Sequence, residues 1–230
     1  MTQLVNQGGI VFQGPVVLPP LFKYCKRQHM ESMMQLGSVR LGSLSDYRRQ
    51  EGRGGMVSDV HEGAKRIDGY IERLAPENRH RYPAVQGLFG PSTRINGLSV
   101  SNVVMLAPDQ LVFCASHTYD EAAHRQWFEQ EGYDACYRIN HPMEFCRAIT
   151  DALGQRFAPG WLMPVAYING EDISSPTAGV DPAFVKRPAG YADQCEVRNT
   201  WLSVDGQMVI EGMVVERSAA FMHCSRHAVL

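Results

Sequence analysis

Gln194, Glu196 and Arg198, in the run Tyr191-Ala-Asp-Gln-Cys-Glu-Val-Arg198, set an amide, a carboxylate and a guanidinium at i, i+2 and i+4. Successive side chains on a β-strand alternate between faces, so this spacing predicts that all three line one face. The intervening Cys195 and Val197, then Trp201 and Leu202, are residues a core requires. Such a strand is either a solvated edge, whose salt-bridge row is worth little, or one wall of a site. Two other segments also keep polar residues among apolar ones. Lys23 and Tyr24 lie in Leu21-Phe-Lys-Tyr-Cys25. Arg40 and Ser43 lie in Val39-Arg-Leu-Gly-Ser-Leu44, followed by Asp46, Tyr47 and Arg48, then by Asp59 and Glu62. A strand–helix–strand with polar groups retained inside its strands predicts a small-molecule cleft. The competing readings are an ordinary surface for Lys23 and the early arginines, and loop polarity or a turn-holding network for Asp46, Asp59 and Glu62.

Other chemistries find less support. His223-Cys224 with His227 offers three ligands and no fourth, short of the set a structural zinc needs. His117 and His124 are seven residues apart at a helix start, and His61 stands alone beside Glu62, so no metal is expected. There is no GxSxG elbow, and Ser116 and His117 are adjacent strand residues whose side chains point apart. Gly52-Arg-Gly-Gly55 lacks the strand before and helix after that make a glycine loop a phosphate cradle.

The elements that must position these groups follow from pattern. At 230 residues, with 44% hydrophobic and 20% charged residues, the chain suits one well-buried domain. The net charge of −2 provides no global field for nucleic acid. The local concentration of Lys23, Lys26, Arg27, Arg40, Arg48, Arg49 and Arg53 is read as a solvated face ahead of a phosphate-binding one. Six cysteines without a CxxC pair suggest a reducing compartment. The first twenty residues lack a basic segment and an apolar core, and no run reaches membrane-span length. A cytoplasmic protein that does not enter a membrane is expected.

Residues 1–20 read as an extended lead-in and 21–230 as one α+β domain. Strands are predicted at Leu21–Cys25, Val39–Leu44, near Ile67–Ile71, Leu98–Leu106, Leu111–Ala115, Ala135–Ile139, Trp161–Ile168, Cys195–Val204 and Gln207–Glu216, with a last one at Ala219–Cys224. Helices are predicted at Arg27–Leu36 (closed by Gly37), Asp120–Glu131 (closed by Gly132) and from Asn140 to about Leu153. Met30, Met33 and Met34, at helical spacing, are expected to fill core. Ser45–Arg49 reads as a turn or single helical turn, and Glu51–Gly55 and 169–188 as loops. Ala107-Pro-Asp-Gln110 and Asp205-Gly206 read as hairpin turns. Short strands with about three helices and no βαβ rhythm give mostly antiparallel sheet with helices packed on it.

Several of these segments together resemble a known family. Leu21-Phe-Lys-Tyr, an amphipathic helix, Gly37-Ser-Val-Arg-Leu-Gly-Ser-Leu-Ser-Asp-Tyr-Arg48 and Asp59-x-x-Glu-Gly63 look like the opening of a diverse group of bacterial and phage proteins. That group is related to a widespread uncharacterised bacterial family and, more distantly, to the ADP-ribosyltransferases. Val112-Phe-Cys-Ala-Ser-His-Thr118 is similar to the family's strand with a Ser/Thr pair, and Gln194-Cys-Glu196 matches its Q-x-E pattern. The outline spans roughly 21–216 in short, degenerate motifs.

The resemblance implies a split antiparallel sheet with NAD in its cleft. It implies that Glu196 is the catalytic carboxylate, binding the nicotinamide ribose 2′-hydroxyl and stabilising the oxocarbenium that forms as nicotinamide leaves. Gln194 would orient the acceptor nucleophile. Lys23 would hold a phosphate or ribose, with Arg40 or Arg48 as substitutes. Ser116 would shape the nicotinamide side and Tyr47 stack on it, with Tyr24 and Ser43 from the same polar segments. Lys stands where the family has Arg or His on its first strand, and Ala-Ser-His-Thr replaces an S-T-S-like element. The implied activity is transfer of ADP-ribose to an unknown macromolecular acceptor, as in a phage or defence-related effector. The alternative is a non-catalytic interaction protein that binds a host factor or nucleotide on the same scaffold; nucleic-acid binding ranks third.

Overall fold

Local signals fix many of the elements. β1 (Leu21–Cys25), α1 (Arg27–Leu36) and β2 (Val39–Ser43) form where alternation and helical spacing predict them. Gly37 closes α1 at φ 64°, a left-handed conformation that favours glycine, and its N–H bonds the Met33 carbonyl. The turn after β2 is the short α2 (Leu44–Arg49). β3 (Ala64–Leu74) is longer than the strand expected near Ile67 and pairs antiparallel with β4 (Ile95–Leu106). After β5 (Leu111–Ser116), the Asp120 carboxylate accepts from Ala123 N to cap α3 (Glu121–Glu131). β6 (Ala135–Ile139) and α4 (Pro142–Leu153) complete the well-patterned half. The computed structural model describes residues 18–49, 61–85, 88–206, 209–216 and 218–230; the lead-in before Leu18, the Glu51–Gly55 loop and Asp59 lie outside them.

The later segments depart more from expectation. The strand placed at Trp161–Ile168 is two, β7 (Phe157–Pro164) and β8 (Ala166–Tyr167). β7 follows β11 (Glu196–Ser203) as far as Pro164 opposite Val197. Val165 N still reaches the carbonyl of Glu196, the first residue of β11, at 2.9 Å, and β8 then pairs with β10 (Val185–Lys186). The region 169–188 is therefore not all loop: it contains β9 (Glu171–Asp172) and β10, with 3₁₀ turns at Pro176–Gly179 and Pro182–Phe184. Ala219–His223 is a 3₁₀ turn, set by the Ser218 hydroxyl accepting from Ala220 N, and the last strand is β13 (Cys224–Val229).

Neither expected hairpin forms. β11 has β5 on one edge and β7 on the other, so the chain returning from Asp205-Gly206 finds no open edge; β12 (Met213–Val215) pairs with β2. β5 is similarly occupied, and β4 belongs to a separate three-stranded sheet with β3 and β9. Ala107–Gln110 passes between the two sheets rather than reversing. Asp109 ties that passage down, its Oδ1 accepting from Ser45 N at 2.9 Å and Oδ2 from Ile210 N at 2.7 Å. The class is α+β with mostly antiparallel sheet and, among the described residues, four α-helices.

One topological feature positions the site. The edge of β5 opposite β11 is shared: β2 pairs with it at Leu111 and Val112, and β1 meets it at Ser116. β1 and β2 thus diverge along one edge of one strand, leaving Phe113–Ala115 facing a gap in the sheet. On one face of this sheet Leu21, Leu41, Phe113, Val197 and Trp201 pack against α1 (Met30, Met33) and α4 (Phe145, Ile149). Both methionines are fully buried, as expected of core filler, with Met34 partly buried beside them. A smaller cluster of Leu44, Val112, Ala183 and Phe184 lies on the opposite face.

Candidate functional site

Antiparallel partners present their side chains on the same face. Glu196 lies directly opposite Ser116, which lies opposite Phe22, so the three form a row across β11, β5 and β1 beside the gap. Arg198 and Cys114 form the next row on that face. The gap opens into a cavity of about 570 Å³. Among the candidates, Ser116, Gln194, Glu196 and Tyr47 line it together with Lys23, Tyr24 and Arg40. Ser43 and Arg48 do not: the Ser43 hydroxyl is fully buried, meeting Ser45 Oγ at 3.0 Å and accepting from Asp46 N at 3.1 Å.

The expected strand face needs one correction. Gln194 is not on a strand: it ends a 3₁₀ turn, Ala192–Gln194, and Cys195 in left-handed conformation (φ 46°) joins it to Glu196. Its side chain still converges with that of Glu196, because both accept from one ammonium. Lys186 Nζ donates to Glu196 Oε2 at 2.9 Å and to Gln194 Oε1 at 3.1 Å, and lies 4.6 Å from the Tyr191 ring centroid. Arg198 Nε donates to Glu196 Oε1 at 2.6 Å, while its Nη1 bonds the Ala183 carbonyl and pairs with Glu62. Glu62, Lys186, Glu196 and Arg198 are all buried, which charged groups tolerate only when paired.

Burial pushes the Glu196 carboxyl upward, but the Arg198 guanidinium and Lys186 ammonium outweigh it and hold it below the usual carboxylate range. Burial opposes the charge of Lys186 as well, and Glu196 with Glu62 raises its pKa in spite of that. Glu196 is therefore a fixed anion at neutral pH. The Cys114 thiol beside it is pushed up to about 12, by burial first and then by Glu196.

Lys23 reaches the cavity from the other side of the sheet. Alternation puts Phe22 and Tyr24 on the Glu196 face, and Lys23 on the core face with Leu21 and Cys25. Its ammonium enters the gap, donating to the Cys114 carbonyl at 2.7 Å above the Phe113 ring. Tyr24 shares the Glu196 face, but its hydroxyl is committed to the α3 cap, accepting from Asp120 N at 3.0 Å. Its ring stacks near Trp127, which stacks in turn on Tyr133 with centroids 5.5 Å apart. The cavity thus has an aromatic side, a cationic rim of Lys23, Lys26 and Arg40, and an ionised carboxylate.

Three site residues were not singled out by the sequence. Lys186 sits in the Pro/Gly/Ser-rich 169–188 stretch, where its only signal is a cation directly after Ala183-Phe-Val185. Trp127 and Tyr133 read as helix and post-helix residues. Among the described residues no group of three or more His, Cys, Asp or Glu side chains could hold a metal, and no helix is long and apolar enough to cross a membrane. Comparisons with protein-family models, curated proteins and solved structures return no match.

Proposed function

We propose that this cleft binds NAD and that the protein is ADP-ribosyltransferase-like, passing ADP-ribose to a macromolecular acceptor. The observation that carries the reading is the convergence of Lys23, Ser116 and the Gln194–Glu196 pair, from three separate segments, on one cavity at a gap between diverging strands. At about 570 Å³ the cavity lies within the roughly 300–1,000 Å³ of small-molecule sites. Its aromatic side suits a base or nicotinamide ring, and Lys23, Lys26 and Arg40 suit a pyrophosphate. Glu196 is held anionic where a positive charge on the ribose would be stabilised as the glycosidic bond of NAD breaks. Gln194, whose Oε1 accepts from the same ammonium, would orient an acceptor.

Release of nicotinamide from NAD, with and without cell extract, tests this. Glu196→Gln keeps the side chain's shape and removes its charge; it is expected to slow release by about 100-fold or more, the scale for losing a preorganised electrostatic group. Equal rates for the two proteins would overturn the role of Glu196, and neither binding nor consumption of NAD would overturn the function.

A second reading is favoured by one feature: both Glu196 oxygens are already engaged, by Arg198 and Lys186. A carboxylate so occupied suits a binding module that holds a nucleotide or host factor without turnover. Nucleotide binding or capture of a host protein, unchanged in Glu196→Ala and without nicotinamide release, would favour that reading.

A further inference from the structure

Glu196 is held at its backbone as well as at its carboxylate. β7 ends at Pro164 opposite Val197, one residue short of Glu196. The Glu196 carbonyl accepts from Val165 N, and the Glu196 N–H donates to the Tyr167 hydroxyl at 2.9 Å. A tyrosine side chain thus takes the place that a strand carbonyl would hold in a continuing ladder. Burial, ahead of that bond, pushes Tyr167 up to about 12, so at neutral pH the hydroxyl keeps its proton. Tyr167 on β8 is paired in register with Lys186 on β10, whose Nζ donates to Glu196 Oε2 at 2.9 Å. Both residues therefore reach Glu196 from one two-stranded ribbon. Ile168 N extends the pairing by donating to the Lys186 carbonyl at 2.9 Å.

An ammonium has three N–H donors. Lys186 gives one to Glu196 Oε2 and one to Gln194 Oε1, and the Tyr191 ring centroid stands 4.6 Å from Nζ. At most one donor remains for a ligand. Lys186 lines the cleft, but its bonds join the cleft's own carboxylate to its own amide; Tyr167 lies outside the cleft lining. We propose that the β8–β10 ribbon is the positioning element of the cleft: Tyr167 sets the Glu196 backbone, and Lys186 sets the Glu196 carboxylate and the Gln194 amide together. Neither residue is catalytic. Arg198 already holds Glu196 Oε1 from the same strand. The ribbon fixes direction, and it makes the placement of Glu196 and of Gln194 depend on one ammonium. The geometric claim stands by itself, and its kinetic consequence rests on the NAD reading.

Two measurements test them separately. The first is NMR of the full chain with isotope-labelled Glu and Gln, the signals being assigned with Glu196→Gln and Gln194→Glu. Lys186→Met is expected to shift the Gln194 side-chain amide and to move the Glu196 carboxyl titration to higher pH, because a cation beside the carboxylate is lost. Lys186→Arg keeps the charge and changes the reach, so the titration is expected to stay low while the Gln194 amide still shifts. Tyr167→Phe loses only the hydroxyl; it is expected to shift the Glu196 backbone amide and leave the carboxyl titration in place. A Gln194 amide unmoved in both Lys186 variants, or a Glu196 amide unmoved in Tyr167→Phe, would overturn the proposal. The second measurement is nicotinamide release. Tyr167→Phe and Lys186→Met are each expected to lower kcat about ten-fold or more at unchanged KM, as misplacement of a group that acts in the transition state requires. Lys186→Arg is expected to recover part of the loss. A raised KM at unchanged kcat would make Lys186 a ligand-binding cation and overturn its positioning role. Wild-type protein that releases no nicotinamide would overturn the NAD reading alone, and the spectra then decide the positioning claim.

Discussion

Arg198→Met is the sharpest perturbation of the buried ion network. Arg198 is 1% exposed, and its guanidinium serves Glu196, Glu62 and the Ala183 carbonyl. Methionine fills much of the same space and supplies no charge, so Glu62 remains buried without its guanidinium and Glu196 keeps only Lys186. Removing one partner of a buried pair costs about 3–5 kcal/mol. For a chain of this size that lowers Tm by about 6–20 °C.

The pH dependence carries a definite sign. The folded Glu196 carboxyl lies below its unfolded value. Its stabilisation is therefore fully present above the unfolded carboxylate pKa of about 4.3 and is lost as pH falls through the folded value. Without Arg198 the folded carboxyl rises, the variant's native state takes up protons at milder acidity, and its deficit shrinks as pH drops from 7 towards 5. Urea unfolding at several pH values measures both the deficit and its slope. The double variant Glu62→Gln with Arg198→Met is expected to recover part of the loss, since removing both partners costs less than stranding one. A deficit under about 1 kcal/mol at pH 7, the range of exposed pairs, or one that widens with acid, would refute the reasoning.

Two further outcomes follow from packing and burial. Gly37→Ala would set a Cβ 2.0 Å from the Ser218 carbonyl oxygen at a residue with φ +64°. Overpacking against backbone and a left-handed alanine together cost about 2–4 kcal/mol, read as a Tm about 4–16 °C lower; an unchanged melting curve would contradict the closeness of α1 to Ser218. Burial pushes Cys25 to about 11 and Cys114, Cys136, Cys146 and Cys224 to about 12. Thiolate is the reactive form, so brief alkylation at neutral pH followed by mass spectrometry is expected to modify Cys195 alone in the native protein and all six cysteines after unfolding. Native labelling at Cys114 would count against its burial beside Glu196.

What the sequence made legible was mostly local. β1, α1, α3 and β6 declared themselves through alternation, helical spacing and the closing Gly37 and Gly132, all set within a few residues. Strand pairing was not legible in the same way, because it depends on which edges are free. Asp205-Gly206 carries hairpin chemistry, yet β5 and β7 already fill both edges of β11. Glu196 stood out because a carboxylate among Cys195, Val197 and Trp201 needs an explanation. Its partner Lys186 did not, since a two-residue strand inside a proline- and glycine-rich stretch shows no period. Gln194 reached the site through a left-handed Cys195 rather than by strand register, a convergence that a spacing rule cannot foresee.

The buried charges also bear on what Glu196 can still accept. Paired apolar residues of similar volume would hold three chain segments together at least as stably as an ion chain does. The chain instead fixes one carboxylate from two sides, through Lys186 on β10 and Arg198 on its own strand, with Glu62 bracing Arg198. An ionised carboxylate offers about four acceptor positions. Arg198 and Lys186 take one each. That leaves about two positions, one on each oxygen, enough to accept from a ligand hydroxyl. Glu196 can thus meet a ribose hydroxyl without breaking either ion pair, and its geometry is set before any ligand arrives. A carboxylate so arranged does not have to reorganise during reaction, the condition under which one fixed charge stabilises a developing cation most effectively.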